Sequence, residues 1–311
     1  ADTTRLIPIY GAYKETAMID LLIRAKEKDL GGFAVRRVLP HPKRRLVGPF
    51  VVFDHIGPAT FAPGNGIDVR PHPHIGLATV TYLFDGEMDH RDSLGVHQTI
   101  RPGDVNWMTA GRGIVHSERT GEDARNSGFT LHGIQTWVAL PEADEETDPE
   151  FHHHAHGDLP EIDIKGTRLR VILGQAYGAT SPARTFSPMF YVHADMPAGA
   201  ILPVTGEHEE RAIYVARGRL TLDGQTLEEG DMAVLASGGE PPLTALSDSI
   251  VMLCGGAPLP GKRHVFWNFV SSSRDKIEQA KADWTASAAA GFENARFRLP
   301  DGETEHIPLP E

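Results

Sequence analysis

Thiols are almost absent. One cysteine, Cys254, occurs in 311 residues, so no intrachain disulfide can form and no sulfur-rich metal site can be assembled. A lone thiol fits a reducing compartment. Long apolar runs are missing too: no stretch reaches the roughly 20 residues that a bilayer core requires. The opening Ala1-Asp2-Thr3-Thr4-Arg5 lacks the charge and hydrophobicity pattern of a secretory leader. The expected location is the cytoplasm, with no membrane contact. Positive charge is in deficit, with 30 Lys and Arg against 42 Asp and Glu and a formal net charge of −12. That balance repels phosphate backbones and anionic lipid, so direct nucleic-acid binding is not expected. Nucleophile-elbow, phosphate-loop and dinucleotide fingerprints are absent as well.

What is present reads as an all-β chain. Hydrophobic residues make up 40% and charged residues 23%, the range of globular proteins, and a chain of 311 residues suggests two domains at roughly 150 residues each. Gly 32 and Pro 23 recur between short β-branched and aromatic runs: Phe33–Leu39, Phe50–Phe53, Thr79–Phe84, Val105–Met108 and Ile134–Leu140. Each is a predicted strand. Residues Pro141 to Pro160 are acidic, rich in histidine and without pattern, the texture of a linker. Strands resume at Leu169–Leu173, Phe190–His193 and Ala212–Val215. The expected division is therefore an N-terminal barrel with an extension over 1–150 and a C-terminal barrel over 151–311. Near the end, Ser272 and Asp275 have capping-box spacing, and Ile277, Ala280 and Trp284 share one face of a predicted helix that packs on a barrel. Within residues 1–30, Met18–Ile23 suits a strand or a short helix equally.

The two halves repeat. Tyr82 precedes Gly86 by four residues, and Gly103-Asp104 precedes Gly111; Tyr214, Gly218, Gly230-Asp231 and Gly238 have the same spacing. Each half thus predicts a strand ending at a turn glycine, a hairpin, and a second strand entered and left through glycine, which is how a small double-stranded barrel closes. In the first half this frame is flanked by His72 and His74 on one side and His116 and Glu118 on the other. Counting by the same landmarks, the second half has Val204, Gly206, Leu243 and Ala245. If both halves are barrels, only the first carries donor side chains.

Residues two apart on a strand face the same way, so His72 with His74, and His116 with Glu118, can meet around one ion at metal–nitrogen distances of about 2.0–2.2 Å. One H-x-H alone arises easily among 16 histidines; the second pair behind the glycine frame makes metal binding the better reading. Pro71 and Pro73 cannot donate to a ladder, which places this strand at an edge or a barrel mouth. Nitrogen and carboxylate donors admit iron, manganese, nickel, copper and zinc. Four protein ligands on an octahedral ion leave two positions for substrate or dioxygen.

Pro71–His74, His90-Arg91-Asp92-Ser93-Leu94-Gly95, Trp107–Glu118 and Val47–Phe50 together resemble the pirin family and cover most of residues 33–140. The resemblance implies two cupin barrels, Fe(II) on His72, His74, His116 and Glu118, and a C-terminal barrel without metal. Pirins are similar to quercetin 2,3-dioxygenases in fold and ligand set, and members are assigned that activity or an iron-dependent regulatory role. Two functions follow as expectations. One is a dioxygenase acting on a flavonol or similar enol, with Glu118 as ligand and catalytic base. The other is a regulatory protein whose iron tunes binding to a protein partner. One departure is local: Ile75-Gly76-Leu77-Ala78 stands where many pirins have Arg-Gly-Phe-Glu, which removes one charge of each sign near the site.

Other candidates have plainer readings. His152-His153-His154-Ala155-His156 reads as a solvated loop rather than a second metal site. His90, Arg91 and Asp92 suit either the pocket mouth or a turn with an internal ion pair. Trp107, Met108 and Trp137 read as barrel core, and Cys254 as an inert buried thiol.

Overall fold

The computed structural model describes residues 18–29, 33–293 and 295–311; the remainder of the open N-terminal stretch lies outside the described residues. The first half contains β1 (Ile19–Arg24), β2 (Lys26–Asp29), β3 (Ala34–Leu39), β4 (Phe50–Phe61), β5 (Asp68–His74), β6 (Leu77–Asp85), β7 (Met88–Asp92) and β8 (His97–Ile100). It continues with β9 (Val105–Thr109), β10 (Ile114–Arg119), the short helix α1 (Glu122–Ser127), β11 (Phe129–Ala139) and β12 (Glu150–His154). The second half comprises β13 (Glu161–Ile164), β14 (Thr167–Ala176), β15 (Ala179–Thr180), β16 (Met189–Met196), β17 (Ile201–Pro203), β18 (Glu210–Arg217) and β19 (Leu220–Leu222). After these come β20 (Gln225–Leu227), β21 (Asp231–Leu235), β22 (Pro242–Ala245), β23 (Ser249–Gly256), β24 (His264–Phe266), β25 (Phe269–Ser271) and helix α2 (Arg274–Ala289).

Every strand predicted from its β-branched and aromatic run is present. Met18–Ile23 resolves to strand, because β1 adds antiparallel to β21 and buries Ile23.

The architecture is two cupin barrels. In the first, a large sheet ordered β12-β9-β6-β11-β4-β3-β2 faces a small sheet ordered β5-β10-β7-β8; in the second, the corresponding orders are β1-β21-β18-β23-β16-β14-β13 and β17-β22-β19-β20. Two strands cross the expected division of the chain: β1, at its start, pairs with β21 of the second barrel, and β12, which spans the expected boundary at residue 150, pairs with β9 of the first. Residues 150–154 are accordingly an edge strand and not a solvated loop; His153 is half-buried with its Nδ1 2.7 Å from the Asn106 Oδ1. Backbone pairing supplied by β9 outweighs the polar composition that suggested a loop.

Register makes the repeat quantitative. Ile134 pairs with His55 and Tyr82, while Met252 pairs with His193 and Tyr214, so His55 corresponds to His193 and Tyr82 to Tyr214. These residues interlock across the barrel interface: Tyr82 Oη lies 2.8 Å from His193 Nδ1, and Tyr214 Oη 2.8 Å from His55 Nδ1. Around them Phe50, Phe53, Trp107, Tyr191, Met232 and Met252 form a shared core.

Helix α2 buries Ile277, Ala280 and Trp284, as the spacing predicts, but the capping box does not form. Ser272 instead donates its backbone N–H and its hydroxyl to the Glu145 carboxylate. The helix, with β25 and Phe297, packs against Ile75 and Val115 beside β5 and β10 of the first barrel.

Candidate metal centre

β5 is the edge strand of the small sheet, the position that Pro71 and Pro73 require. Its neighbour β10 runs antiparallel, with His116 opposite His72 and Ile114 opposite His74. Between His116 and Glu118 the register slips, so that Glu118 faces Val69; such a bulge re-aims the side chains beside it. The result brings one ring nitrogen each of His72, His74 and His116 within 4.8 Å of one another, all three rings buried. Glu118 joins them: its Oε1 is 3.6 Å from His116 Nε2 and its Oε2 is 4.0 Å from His72 Nε2.

Hydrogen bonds behind the rings set what faces inward. His72 Nδ1 is 2.9 Å from the Arg70 carbonyl, and His74 Nδ1 is 3.2 Å from the Asn268 carbonyl. A carbonyl only accepts, so both rings carry their proton on Nδ1 and turn a bare Nε2 inward. Burial, and after it the neighbouring imidazoles, push His74 and His116 well below the ordinary histidine value, so both rings stay neutral. His74 Nε2 and His116 Nε2 stand 3.0 Å apart. Two nitrogens bound cis to one octahedral ion at about 2.1 Å would stand about 3.0 Å apart. The Glu118 Oε2, buried and without a hydrogen-bond partner, supplies a charge that only a cation or a proton can answer. The donor set fits a divalent metal.

A polar row supports Glu118 from the large sheet. Asn106, Thr81, Gln135, Asp54 and Arg37 are successive register partners across β9, β6, β11, β4 and β3. Gln135 Nε2 donates to Glu118 Oε1 at 2.9 Å, which leaves Oε2 as the free oxygen. Arg37 holds Asp54 through two bonds, Nε to Oδ1 at 2.7 Å and Nη2 to Oδ2 at 2.6 Å. Burial nevertheless raises the Asp54 carboxyl above its usual value.

Above the cluster lies a cavity of about 480 Å³ with His72, Glu118 and Gln135 in its lining, within the size range of small-molecule sites. Val52, Val69, Met88, Trp137, Val265 and Trp267 form its apolar wall. Trp137 is therefore both buried and part of the pocket, edge-on to His74 at 5.1 Å and 83°. Trp107 and Met108 are core, 1% exposed each. Cys254 is fully buried, and that burial pushes its thiol up to about 12.

Several contributors were beyond sequence reasoning. The Asn268 carbonyl belongs to backbone and carries no residue signature. Trp267 and Asn268 join β24 to β25, and Trp267 sits at φ 49°, a left-handed conformation that a bulky residue adopts only under constraint. Gly76 (φ 67°) lets that hairpin approach, because a Cβ there would run into the Val270 carbonyl oxygen. Glu303, from the C-terminal segment, accepts from Ser117 Oγ at 2.7 Å and from Arg119 Nη2 at 2.6 Å, clamping β10 from outside. Nothing in the spacing of residues 264–309 signals that they finish a site built from residues between His72 and Trp137.

The second barrel lacks these donors. By register its counterparts of His72, His74, His116 and Glu118 are Leu202, Val204, Leu243 and Ala245. The strand of the first two is shifted two residues from the landmark count that gave Val204 and Gly206, because the segment between β17 and β18 is longer than that between β5 and β6. All four are buried in one aliphatic core.

Two cupin barrels in one chain, one with a buried three-histidine centre and the other packed with aliphatic side chains, define a bicupin with a single metal-binding barrel. Residues 32–138 match the Pirin family profile and residues 191–290 that of the pirin C-terminal cupin domain; the chain belongs to the pirin family. A pirin-like protein of Caulobacter vibrioides is 52% identical over 298 residues, spanning 94% of this chain and 100% of the relative. The crystal structure of a quercetin 2,3-dioxygenase from Acinetobacter baumannii superposes with a TM-score of 0.85 at 33% identity, over 94% of this chain and 95% of that one. At 19% identity, the Escherichia coli pirin YhhW in complex with nickel(II) shares the fold, with a TM-score of 0.59 over 77% of this chain and 99% of that one. Among the described residues, no helix is long and apolar enough to cross a membrane.

Proposed function

We propose that this protein is a cytoplasmic metal-dependent dioxygenase of the quercetin 2,3-dioxygenase type, acting on flavonols or similar enols, with His72, His74, His116 and Glu118 holding Fe(II). One observation carries the reading: three buried imidazoles and a carboxylate oxygen without a hydrogen-bond partner converge beside a cavity walled in part by Val52, Met88, Trp137 and Trp267. The relatedness to a protein named quercetin 2,3-dioxygenase supports the substrate class.

A metal held by these four residues would supply Lewis-acid activation of an enol oxygen and of dioxygen. The chain supplies the remainder. Glu118 lines the cavity and accepts the enol proton on Oε2, the oxygen without a hydrogen-bond partner, while Gln135 keeps Oε1 occupied, so the proton goes to one defined atom. Val52, Met88, Trp137 and Trp267 cover the planar rings of the substrate and exclude water. His72 and His74 are held by backbone carbonyls, so neither ring can rotate its bare nitrogen away.

Metal analysis of the purified protein, followed by oxygen-electrode measurements with quercetin and a panel of related enols, tests this. The expected result is about one metal per chain and oxygen uptake that disappears in His116→Ala. Iron-loaded protein that consumes no oxygen with any flavonol or catechol would overturn the dioxygenase assignment.

A further inference from the structure

We infer that Asp92 and His90 form a positioning relay that fixes the tautomer of His116 and so sets the affinity of the first barrel for its metal. This inference rests on the proposal that His116 is a metal ligand. His90 and Asp92 lie on β7, on the far side of β10 from β5. Asp92 pairs with His116 in register, and His90 with Glu118. Neither lines the cavity above the metal centre; they stand behind it.

The polarity of the relay can be followed atom by atom. Asp92 is fully buried, and its Oδ1 accepts from the backbone N–H of Leu94 at 2.9 Å and of Val96 at 3.3 Å. The carboxylate is thereby locked. Its Oδ2 lies 2.8 Å from His90 Nε2; a carboxylate accepts, so the His90 proton resides on Nε2 and its Nδ1 is a bare acceptor. That Nδ1 is 3.4 Å from His116 Nδ1, which must then donate. His116 is left with a lone pair on Nε2, the atom facing His74. His72 and His74 obtain the same tautomer from backbone carbonyls; His116, in mid-sheet, has a side-chain relay in their place. The His90 ring is itself fixed by stacking on Phe151, with centroids 4.4 Å apart and planes at 20°.

The second barrel provides an internal control. Ala245, the counterpart of Glu118, pairs with Leu220, so His90 and Asp92 correspond to Leu220 and Leu222, both buried in the aliphatic core. Where the ligands are missing, the relay is missing too. A merely structural turn with an internal ion pair would have no reason to follow the ligands.

The test uses the full chain in three arms. Imidazole ¹⁵N–¹H correlation spectra of metal-free wild-type protein should show His116 protonated on Nδ1; a His116 protonated on Nε2 overturns the inference whatever any variant does. His90→Phe keeps the ring stack and removes the relay, and Asp92→Asn weakens it. Both should leave His116 as a mixture of tautomers and bind Zn(II), measured against a competing chelator, about 10–100-fold more weakly than wild type. Wild-type affinity in His90→Phe would likewise sink the idea. If wild-type protein itself takes up no Zn(II), the metal assignment fails, while the tautomer measurement still decides the relay.

Discussion

The same barrel occurs twice in this chain, and its interior has been put to two uses. In the first barrel the inward row Asn106, Thr81, Gln135, Asp54, Arg37 is polar; in the second, the register-equivalent row is Ala233, Ile213, Leu253, Val192, Val171. The apolar interior of the first is consequently divided into two clusters, one around Val52, Leu77 and Trp137 and one around Ile56, Leu83 and Leu131. The polar band lies between them. The second interior is one continuous aliphatic cluster. The two interiors thus differ by more than four donor side chains: a whole layer of the first barrel is polar, and from it Gln135 holds the Glu118 carboxylate. The second barrel shows the default packing of the same fold.

The difference can be broken at one pair of equivalent positions. Leu243→Ala removes a buried side chain from a packed core and should cost about 2–5 kcal/mol in denaturant unfolding. His116→Ala in metal-free protein should cost at most about 1 kcal/mol, because it relieves two lone pairs facing each other. Equal losses at the two sites would show that the first barrel is as optimised for packing as the second.

Acid should separate the halves from their interface. Burial, then nearby charges, lower His55 to about 2 and His132 to about 4, while the unfolded chain takes up those protons near pH 6.5. The unfolded state binds more protons between the two values, so stability should fall as pH drops from about 6.5 to about 4. In metal-free protein His74 and His116 add to the same slope. His132→Gln should flatten it, as read by unfolding midpoints across that range. An unchanged slope would place the proton uptake elsewhere.

The smallest effect is expected on the edge strand. His152 is exposed, so His152→Ala should alter stability by no more than about 0.5 kcal/mol and leave metal content unchanged. Loss of metal there would reopen the histidine run as a second site.

Much of this was legible from residues alone. Strand positions follow from β-branched runs between Gly and Pro, and the donor residues follow from two-residue spacing beside the repeated glycine frame. Their convergence is what antiparallel pairing of β5 and β10 produces. The linker reading missed β12, because an edge strand needs pairing on only one side and tolerates charged and imidazole side chains on the other. Gln135 was hidden within a run recognised only as a strand, and Asn268 acts through its backbone. The capping pattern at Ser272 misled because Glu145, distant in sequence, competes for the same donors.

The crossing of β1 carries a consequence for synthesis. β1 leaves the ribosome before almost everything it will contact, and β21, its partner, follows only at residues 231–235. The hairpin carrying Asn268 and the clamp at Glu303 come later still. A nascent chain therefore cannot finish its second barrel's sheet from the second half alone, nor complete the contacts of His74 and β10 in the first barrel before residues 268 and 303 emerge. The cluster of His72, His74 and His116 is completed only after residues 268 and 303 have been made, so before then His74 lacks the Asn268 carbonyl that aims its ring.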